Sequence, residues 1–255
     1  MMWQIIKNEW RYLRRSRLLF GMNLGFVLVL SLSVILGNYQ NQKQQKTYEA
    51  ARQHIREKWE GIGWMNPHGA AHFGTYIFKP VNLLNSLDEG VNSTTGNVLR
   101  VEGHVQNEMV HAEAAQMQMV SRFGKLKSSL LLKYVVPLLL IFLAFNAVNS
   151  EKQSGRLKLL IVQGSRPAHL ILGKTFSVWS YGIALLALVL LVYGILNIWD
   201  LDSVMLKRAL FFFASYALYY FVITGLTVFF TARWKNATVS LTAMLGIWIL
   251  WTVFL

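Results

Sequence analysis

The chain has 255 residues, of which 54% are hydrophobic and only 15% are charged. Because a soluble domain carries about a quarter charged residues, this composition argues against a soluble protein and indicates a membrane protein. Cysteine is absent, which excludes disulfides and thiolate metal sites, and the formal net charge is +13. In a membrane protein such an excess indicates topology and contact with anionic lipid, so we predict no nucleic-acid partner.

Residues 1–17 are predicted to form an amphipathic helix at the inner membrane surface. Trp3, Ile6 and Trp10 recur at spacings of three and four residues, whereas basic residues that include Arg14 take another face. This pattern places tryptophan at the depth of the lipid headgroups. The alternative is a basic topology anchor with no further role, and the two interpretations are compatible.

Five apolar runs predict membrane-spanning helices. We assign them to residues 18–37, 129–149, 175–198, 208–231 and 238–255. At a rise of 1.5 Å per residue, the first four are long enough to cross a hydrocarbon core about 30 Å thick, and the fifth only just reaches. The predicted fold class is therefore an all-α integral membrane protein with about five transmembrane helices.

Lysine and arginine residues in the short loops predict the orientation of these spans. Five of them precede the first span, five more lie between the second and third spans, and Arg233 and Lys235 lie between the fourth and fifth. All of these loops fall on one side if every run crosses the membrane. We therefore predict a cytoplasmic N-terminus.

The long segment 38–128 is predicted to be a folded outer domain shaped like a helical hairpin. Residues 40–59 carry a helical apolar stripe and are expected to continue the first span outward, and residues 101–123 are expected to return as a second helix. Residues 61–97 are rich in Gly, Asn and Pro, which is typical of a compact cap of turns.

A partial metal-binding pattern occurs in the predicted returning helix. His104, Glu108 and His111 fall on one helical face, and Glu102 and His72 are possible additional ligands. Such residues more often form an ordinary polar face, so we predict that the chain binds no metal. A zinc hydrolase is disfavoured because no H-E-x-x-H pattern is present.

Gly173, Lys174 and Thr175 repeat the last three letters of a phosphate-binding P-loop. The first glycine of that motif should stand at position 168, which is Ala168, and the preceding segment does not have the pattern of a strand. We therefore predict no catalytic residues and no nucleotide hydrolysis by this chain.

The loop 150–174 is predicted to have a mechanical role instead. Residues Arg156–Val162 are expected to form a short helix along the membrane plane, since Gly155 and Gly164 act as breaks around it. A short, rigid helix between two spans on the cytoplasmic side could contact a soluble partner protein.

The sequence "EKQSGRLKLLIVQGSRPAHLILGK", residues 151–174, resembles the corresponding loop of ABC-2 type transporter permeases. The resemblance implies that this loop carries a coupling helix, which docks on a separate ABC ATPase subunit, and that residues 1–17 form the connecting helix of that family. The residues assigned to coupling by this resemblance are Glu151, Gly155, Arg156, Leu157, Leu159 and Leu160.

Residues 72–108 resemble the outer domain of a bacterial branch of the same family, which has a large insert after the first span. The motif positions that match are His72, Gly74, Tyr76, Phe78 and Pro80, followed by Glu102 and His104. An acidic turn at Asp88–Gly90 lies between them. The resemblance implies a multi-pass protein of a bacterial inner membrane with this domain outside the cytoplasm.

Taken together, the resemblance implies a permease subunit of an ATP-driven transporter, expected to be an exporter. It would pair with itself or with a related subunit, and ATP would be bound by the separate ATPase rather than by this chain. Such permeases usually have six spans, so the sequence is expected to be truncated before the sixth. The alternatives are a membrane-anchored sensor or assembly protein whose outer domain binds a partner, and a membrane-embedded metal-dependent enzyme.

Overall fold

The computed structural model describes residues 2–15, 17–104, 109–110 and 127–254. The described chain is chiefly helical, which confirms the predicted all-α membrane class. It divides into two compact units. The membrane unit comprises Met1–Ser31 and Leu131–Leu255, and the insert unit comprises Leu32–Leu130.

The elements follow one another in a simple order. They are α1 (Met2–Arg15), α2 (Arg17–Gly61), α3 (Pro67–His72), β1 (Thr75–Phe78), α4 (Asn92–Thr95), β2 (Val98–Val101), β3 (Met109–Val110), α5 (Val136–Ala144), α6 (Asn149–Gln153), α7 (Arg156–Val162), α8 (Pro167–Leu196), α9 (Ser203–Arg233) and α10 (Ala237–Phe254). Short 3₁₀ turns occur at Leu83–Ser86 and Ile198–Asp200, one helical turn at Ser128–Leu130, and a π-helical turn at Leu131–Val135.

Four described helices are long and apolar enough to cross a membrane. They are Phe20–Gly61, Ser128–Gln153, Pro167–Leu196 and Ser203–Arg233, with a shorter apolar helix at Ala237–Thr252. The predicted spans 129–149 and 208–231 fall within two of these helices, and the spans 18–37 and 175–198 overlap the other two. The described part of the fifth predicted span, 238–255, lies in α10. The chain is therefore a multi-pass membrane protein.

The core of the membrane unit forms where α5, α8 and α9 approach one another. Gly182 of α8 permits this approach, since a Cβ atom there would lie 3.1 Å from side-chain carbons of both Leu140 and Tyr220. Small residues allow such close packing of helices in membranes, where helix association depends on van der Waals contact. Ile141, Ile223 and Met244 extend this core toward α10.

A proline explains the π-helical turn that precedes α5. Pro137 has no backbone N–H, so it cannot donate the usual helical hydrogen bond to the carbonyl of Lys133 one turn earlier. The Tyr219 hydroxyl donates to that carbonyl at 3.1 Å, and the Tyr220 hydroxyl donates to the carbonyl of Leu132 at 3.0 Å. Two side chains of α9 thus satisfy backbone groups of the neighbouring span.

The insert unit contains a small antiparallel sheet in the order β1-β2-β3. Thr75 pairs with Val101 and Phe78 pairs with Val98, while Val98 and Leu99 pair with β3. The predicted helical continuation of the first span is confirmed, because α2 continues to Gly61. The predicted returning helix is wrong at Val101 and at β3, where cross-strand pairing of β-branched residues prevails over the helical pattern; residues 105–108 and 111–126 lie outside the described ranges.

Polar contacts join the C-terminal end of the insert unit to a segment in its middle. The buried Lys127 ammonium pairs with Glu89 and donates to the carbonyl of Asn85 at 2.8 Å. Ser129 donates its backbone N–H to the carbonyl of Leu87 at 2.9 Å. The chain that leaves the insert unit is therefore fixed against the segment 85–89.

Candidate functional site

The predicted coupling loop contains two short helices separated by a glycine. The helix expected over Arg156–Val162 is confirmed as α7 with the same bounds. Gly155 precedes it at φ 72°, a left-handed conformation that only glycine adopts without strain, and it separates α6 from α7. Gly164, at φ 82°, follows α7, and Pro167 begins α8 at a position where its missing N–H costs nothing.

The surface of α7 is unusually apolar for a loop. Leu159 is 62% exposed and Val162 is 86% exposed, and Ile161 is also exposed. Leu157 and Leu160 are half-buried. Three exposed aliphatic side chains on one short helix form a patch that water solvates poorly.

A chain of ion pairs links α7 to α8 and α1. The Arg156 guanidinium lies 3.0 Å from Glu151, and the other oxygen of that carboxylate lies 3.1 Å from the Lys174 ammonium. Lys174 also pairs with Glu9 of α1 at 2.5 Å. The Lys174 side chain is only 6% exposed and that of Glu151 only 13%, so water screens this contact weakly.

The packing of α1 against α8 surrounds this ion network. The Trp10 indole N–H donates to the Ser180 hydroxyl at 2.9 Å, and its ring lies 6.0 Å from that of Tyr181. Gly173 lies directly beneath Ile5, since a Cβ at position 173 would come within 3.0 Å of that side chain. Of the residues predicted for the interfacial helix, Trp10 and the half-buried Ile6 lie on the packed side of α1.

The outer side of α1 is exposed. Trp3 and Arg14 both lie there, and Trp3 is largely accessible. Their contact with lipid headgroups stays a prediction.

The Gly173-Lys174-Thr175 triplet lies inside α8. Its backbone N–H groups belong to a helix that began at Pro167, and the Thr175 hydroxyl donates to the carbonyl of Ile171 at 3.0 Å. A P-loop wraps phosphate with free N–H groups in a loop after a strand. The local geometry therefore agrees with the sequence argument against a phosphate site here.

A second set of contacts ties α6 to the end of α9. Lys152 donates to the carbonyls of Thr231, Ala232 and Trp234 at 3.1, 2.6 and 3.0 Å. With its amide oriented to satisfy both groups, Asn149 donates to the Trp234 carbonyl at 2.9 Å and accepts from the Ala237 N–H. A lysine at the C-terminus of a helix binds its last free carbonyls and complements its dipole.

The motif residues of the insert unit lie around the sheet. Gly74, at φ 69°, packs against the Arg100–Glu102 ion pair, whose atoms are 2.7 Å apart. The Phe78 ring lies 5.0 Å from that of Tyr48, and the Arg52 guanidinium lies 5.7 Å above Phe78.

Glu102 and the exposed Tyr76 also line a cleft of about 650 Å³, together with Arg52, Trp59 and Phe73. Pro80 lies apart from this cleft, in a narrow groove beside Tyr48. His72 and His104 come together with His68, and the predicted ligands Glu108 and His111 lie outside the described residues.

Sequence reasoning missed Glu9, Lys174 and His68. The sequence contains two indications of the Glu9–Lys174 pair. Glu9 is the sole acidic residue among the first 48, and Lys174 begins an apolar span in which a charged side chain needs a partner. His68 stands four residues before His72, but only the observed helix α3 places the two on one face.

Comparison with protein families assigns the chain to a family. The chain matches the model of the family described as ABC-2 family transporter protein over residues 3–255. Comparisons with curated proteins and with solved structures gave no match.

Proposed function

The chain belongs to the ABC-2 family of transporter proteins, and from this premise we propose how its membrane unit is driven. As a member of that family it is a membrane permease of an ABC transporter. A separate ATPase subunit docks on α7, and its ATP cycle moves the membrane unit. ATP stays on that partner, and the transport direction is export.

The setting of this proposal follows the sequence. We propose that the N-terminus and α7 lie in the cytoplasm of a bacterial cell and that the insert unit lies outside its inner membrane. The Lys and Arg residues of the short loops support this orientation. A functional transporter contains two permease subunits, either two copies of this chain or one copy and a relative.

The observation that carries the proposal is the double pairing of Glu151. One of its oxygens binds Arg156, the first residue of α7, and the other binds Lys174 in α8. A partner that displaces α7 therefore pulls directly on a buried group of a spanning helix. Lys174 passes the displacement to α1 through Glu9.

The contacts of α6 supply a second route. Because Lys152 and Asn149 hold the end of α9, the segment before Gly155 cannot move without α9. Two spans, α8 and α9, are thus joined to the short segment that presents α7. A rigid connection of this kind suits the transmission of a mechanical step.

The chemistry of α7 defines the surface that its partner must offer. Leu159, Ile161 and Val162 present exposed aliphatic groups, and Arg156 and Lys158 place positive charge beside them. The complementary surface is an apolar groove with acidic residues at its rim. Burial of these aliphatic side chains is the main favourable contribution to such an association.

The test is a pull-down from native membranes in mild detergent. The unaltered chain is expected to retain an ABC ATPase, and Leu159→Asp is expected to lose it, because a carboxylate would be buried in an apolar groove. Leu201→Asp is the matched control. It alters an exposed leucine in the connection between α8 and α9, which the basic-loop pattern places on the opposite side.

The variant Gly155→Pro tests whether movement of α7 is passed to the spans, separately from whether the ATPase binds α7. Proline fixes φ near −65° and cannot adopt the observed 72°, so the path from α6 to α7 must change. We expect this variant to insert in the membrane and to lose ATP-driven transport. Retention of the ATPase by Leu159→Asp, or full transport by Gly155→Pro, would contradict the proposed docking and coupling roles.

A further inference from the structure

Three histidines converge on the surface of the insert unit. His68, His72 and His104 each offer a ring nitrogen, and these nitrogens all lie within 4.8 Å of one another. Their ring centroids are 4.8 to 5.6 Å apart. All three side chains are exposed and come from two separate segments of the chain.

The first two histidines are aligned by helix α3. Pro67 occupies its first position, and the Asn66 side chain accepts the backbone N–H of His68 at 2.9 Å, which fixes where the helix begins. His68 and His72 are then four residues apart, so their imidazoles stand on the same face one turn from each other.

His104 is brought to this face by a close backbone contact. Gly103 donates its N–H to the carbonyl of Ala71 at 2.8 Å, and a Cβ at position 103 would lie 3.1 Å from that oxygen. A side chain at position 103 would crowd this contact. The next residue, His104, has φ 63°, which turns the chain and directs its ring toward those of α3.

We propose that His68, His72 and His104 bind one divalent transition-metal ion, Zn²⁺ or Cu²⁺. Three neutral imidazoles are a donor set that suits these ions and not Mg²⁺ or Ca²⁺, which prefer oxygen ligands. With metal–nitrogen bonds of about 2.0 Å, the ligand nitrogens of such a site lie about 3.3 Å apart. Small rotations of the three exposed side chains would shorten the distances between the ring nitrogens from the observed values to that spacing.

The site leaves a fourth coordination position for water. The nearest acidic side chain in the sequence, Glu102, is ion-paired to Arg100 at 2.7 Å. The metal would join α3 to the end of β2, so its binding also stabilises the insert unit. This inference departs from the sequence prediction of no metal, and it is independent of the coupling proposed for α7.

The test is a metal titration of the full chain in detergent, purified with a tag that lacks histidine and stripped with a chelator. Zn²⁺ is titrated against a chromophoric chelator, with Mg²⁺ as the negative control, and bound metal is counted by mass spectrometry. We expect one Zn²⁺ per chain. We also expect Zn²⁺ to raise the melting temperature of the protein.

Single substitutions locate the site. His68→Gln and His72→Gln should each weaken Zn²⁺ binding at least ~100-fold, since loss of a ligand exceeds the effect of losing an outer-shell partner. His104→Gly removes the third imidazole and keeps the positive φ without strain, so this variant folds. His54→Gln, an exposed histidine of α2 outside the triad, is the matched control and should bind like the parent chain.

An electron paramagnetic resonance spectrum distinguishes binding of the metal by this triad from binding at unrelated surface residues. Cu²⁺ bound to the parent chain should show nitrogen hyperfine splitting in electron paramagnetic resonance, and His104→Gly should reduce the number of coupled nitrogens. The proposal is overturned if the parent chain binds no stoichiometric Zn²⁺. It is equally overturned if the three triad variants bind as tightly as His54→Gln.

Discussion

Among the described residues, each unit of this protein buries one lysine, and the two lysines make different connections. Lys174 in the membrane unit and Lys127 in the insert unit are both almost inaccessible, and each pairs with a carboxylate. The partners of Lys127, Glu89 and the Asn85 carbonyl, belong to one short segment. The partners of Lys174, Glu9 and Glu151, come from two separate elements, and Glu151 continues to the surface through Arg156.

The difference lies in what each ion pair connects. The Lys127 pair closes the insert unit, and no exposed helix depends on it among the described contacts. The Lys174 pairs join a spanning helix, the N-terminal helix and a short helix with an exposed apolar surface. The two lysines are therefore buried to the same extent but differ in what they join. Lys127 holds together segments of the insert unit alone, whereas Lys174 connects three helices of the membrane unit.

The largest expected effect comes from Lys174→Met. It leaves Glu9 without its partner and keeps two carboxylates close together, so we expect a loss of about 4 kcal/mol in the free energy of unfolding. Denaturant unfolding in detergent measures this change. In the double variant Lys174→Met with Glu9→Gln, part of the stability should return, and a double variant no more stable than the single one would contradict the pairing.

Lys127→Met should cost slightly less, about 3 kcal/mol, because it leaves one buried carboxylate unpaired. The two variants should differ in function rather than in stability. At temperatures where both remain folded, Lys127→Met should retain ATP-driven transport, and Lys174→Met should lose it. If the two variants transported equally well in reconstituted vesicles, the proposed difference between the roles of Lys127 and Lys174 would be contradicted.

Tyr219→Phe has a smaller expected effect and tests packing in the membrane unit alone. Loss of the hydroxyl removes its hydrogen bond to the Lys133 carbonyl, which should cost about 1 kcal/mol. Pro137→Ala restores the backbone N–H that pairs with this carbonyl. The tyrosine substitution should therefore cost less in the Pro137→Ala background, and strict additivity of the two changes in a double-mutant cycle would refute this explanation.

The sequence predicts local structure in this protein well. The bounds of α7 follow from Gly155 and Gly164, because glycine interrupts a helix for reasons contained in its own backbone. The extension of α2 to Gly61 and the approximate positions of the first four spans follow equally from apolar patterns and length. The sequence does not predict helix α3, because the Gly, Asn and Pro residues around its six residues are typical of turns.

Contacts between distant segments were not predictable in the same way. Glu9 and Lys174 are 165 residues apart, and their pairing depends on the approach of α1 to α8 at Gly173. The convergence of His104 with His68 depends on the contact between Gly103 and Ala71. The strand at Met109–Val110 also arises from a long-range pairing, whereas the surrounding sequence has a helical stripe.

The most direct test of the central claim is site-specific crosslinking from α7. The natural chain has no cysteine, so Val162→Cys and, as control, Leu201→Cys each carry a single thiol for a photoactivatable crosslinker. Irradiation in native membranes should join Val162→Cys, and not Leu201→Cys, to an ABC ATPase identified by mass spectrometry. Capture of that ATPase from Leu201→Cys alone, or from neither position in membranes that carry out ATP-driven transport, would contradict docking on α7.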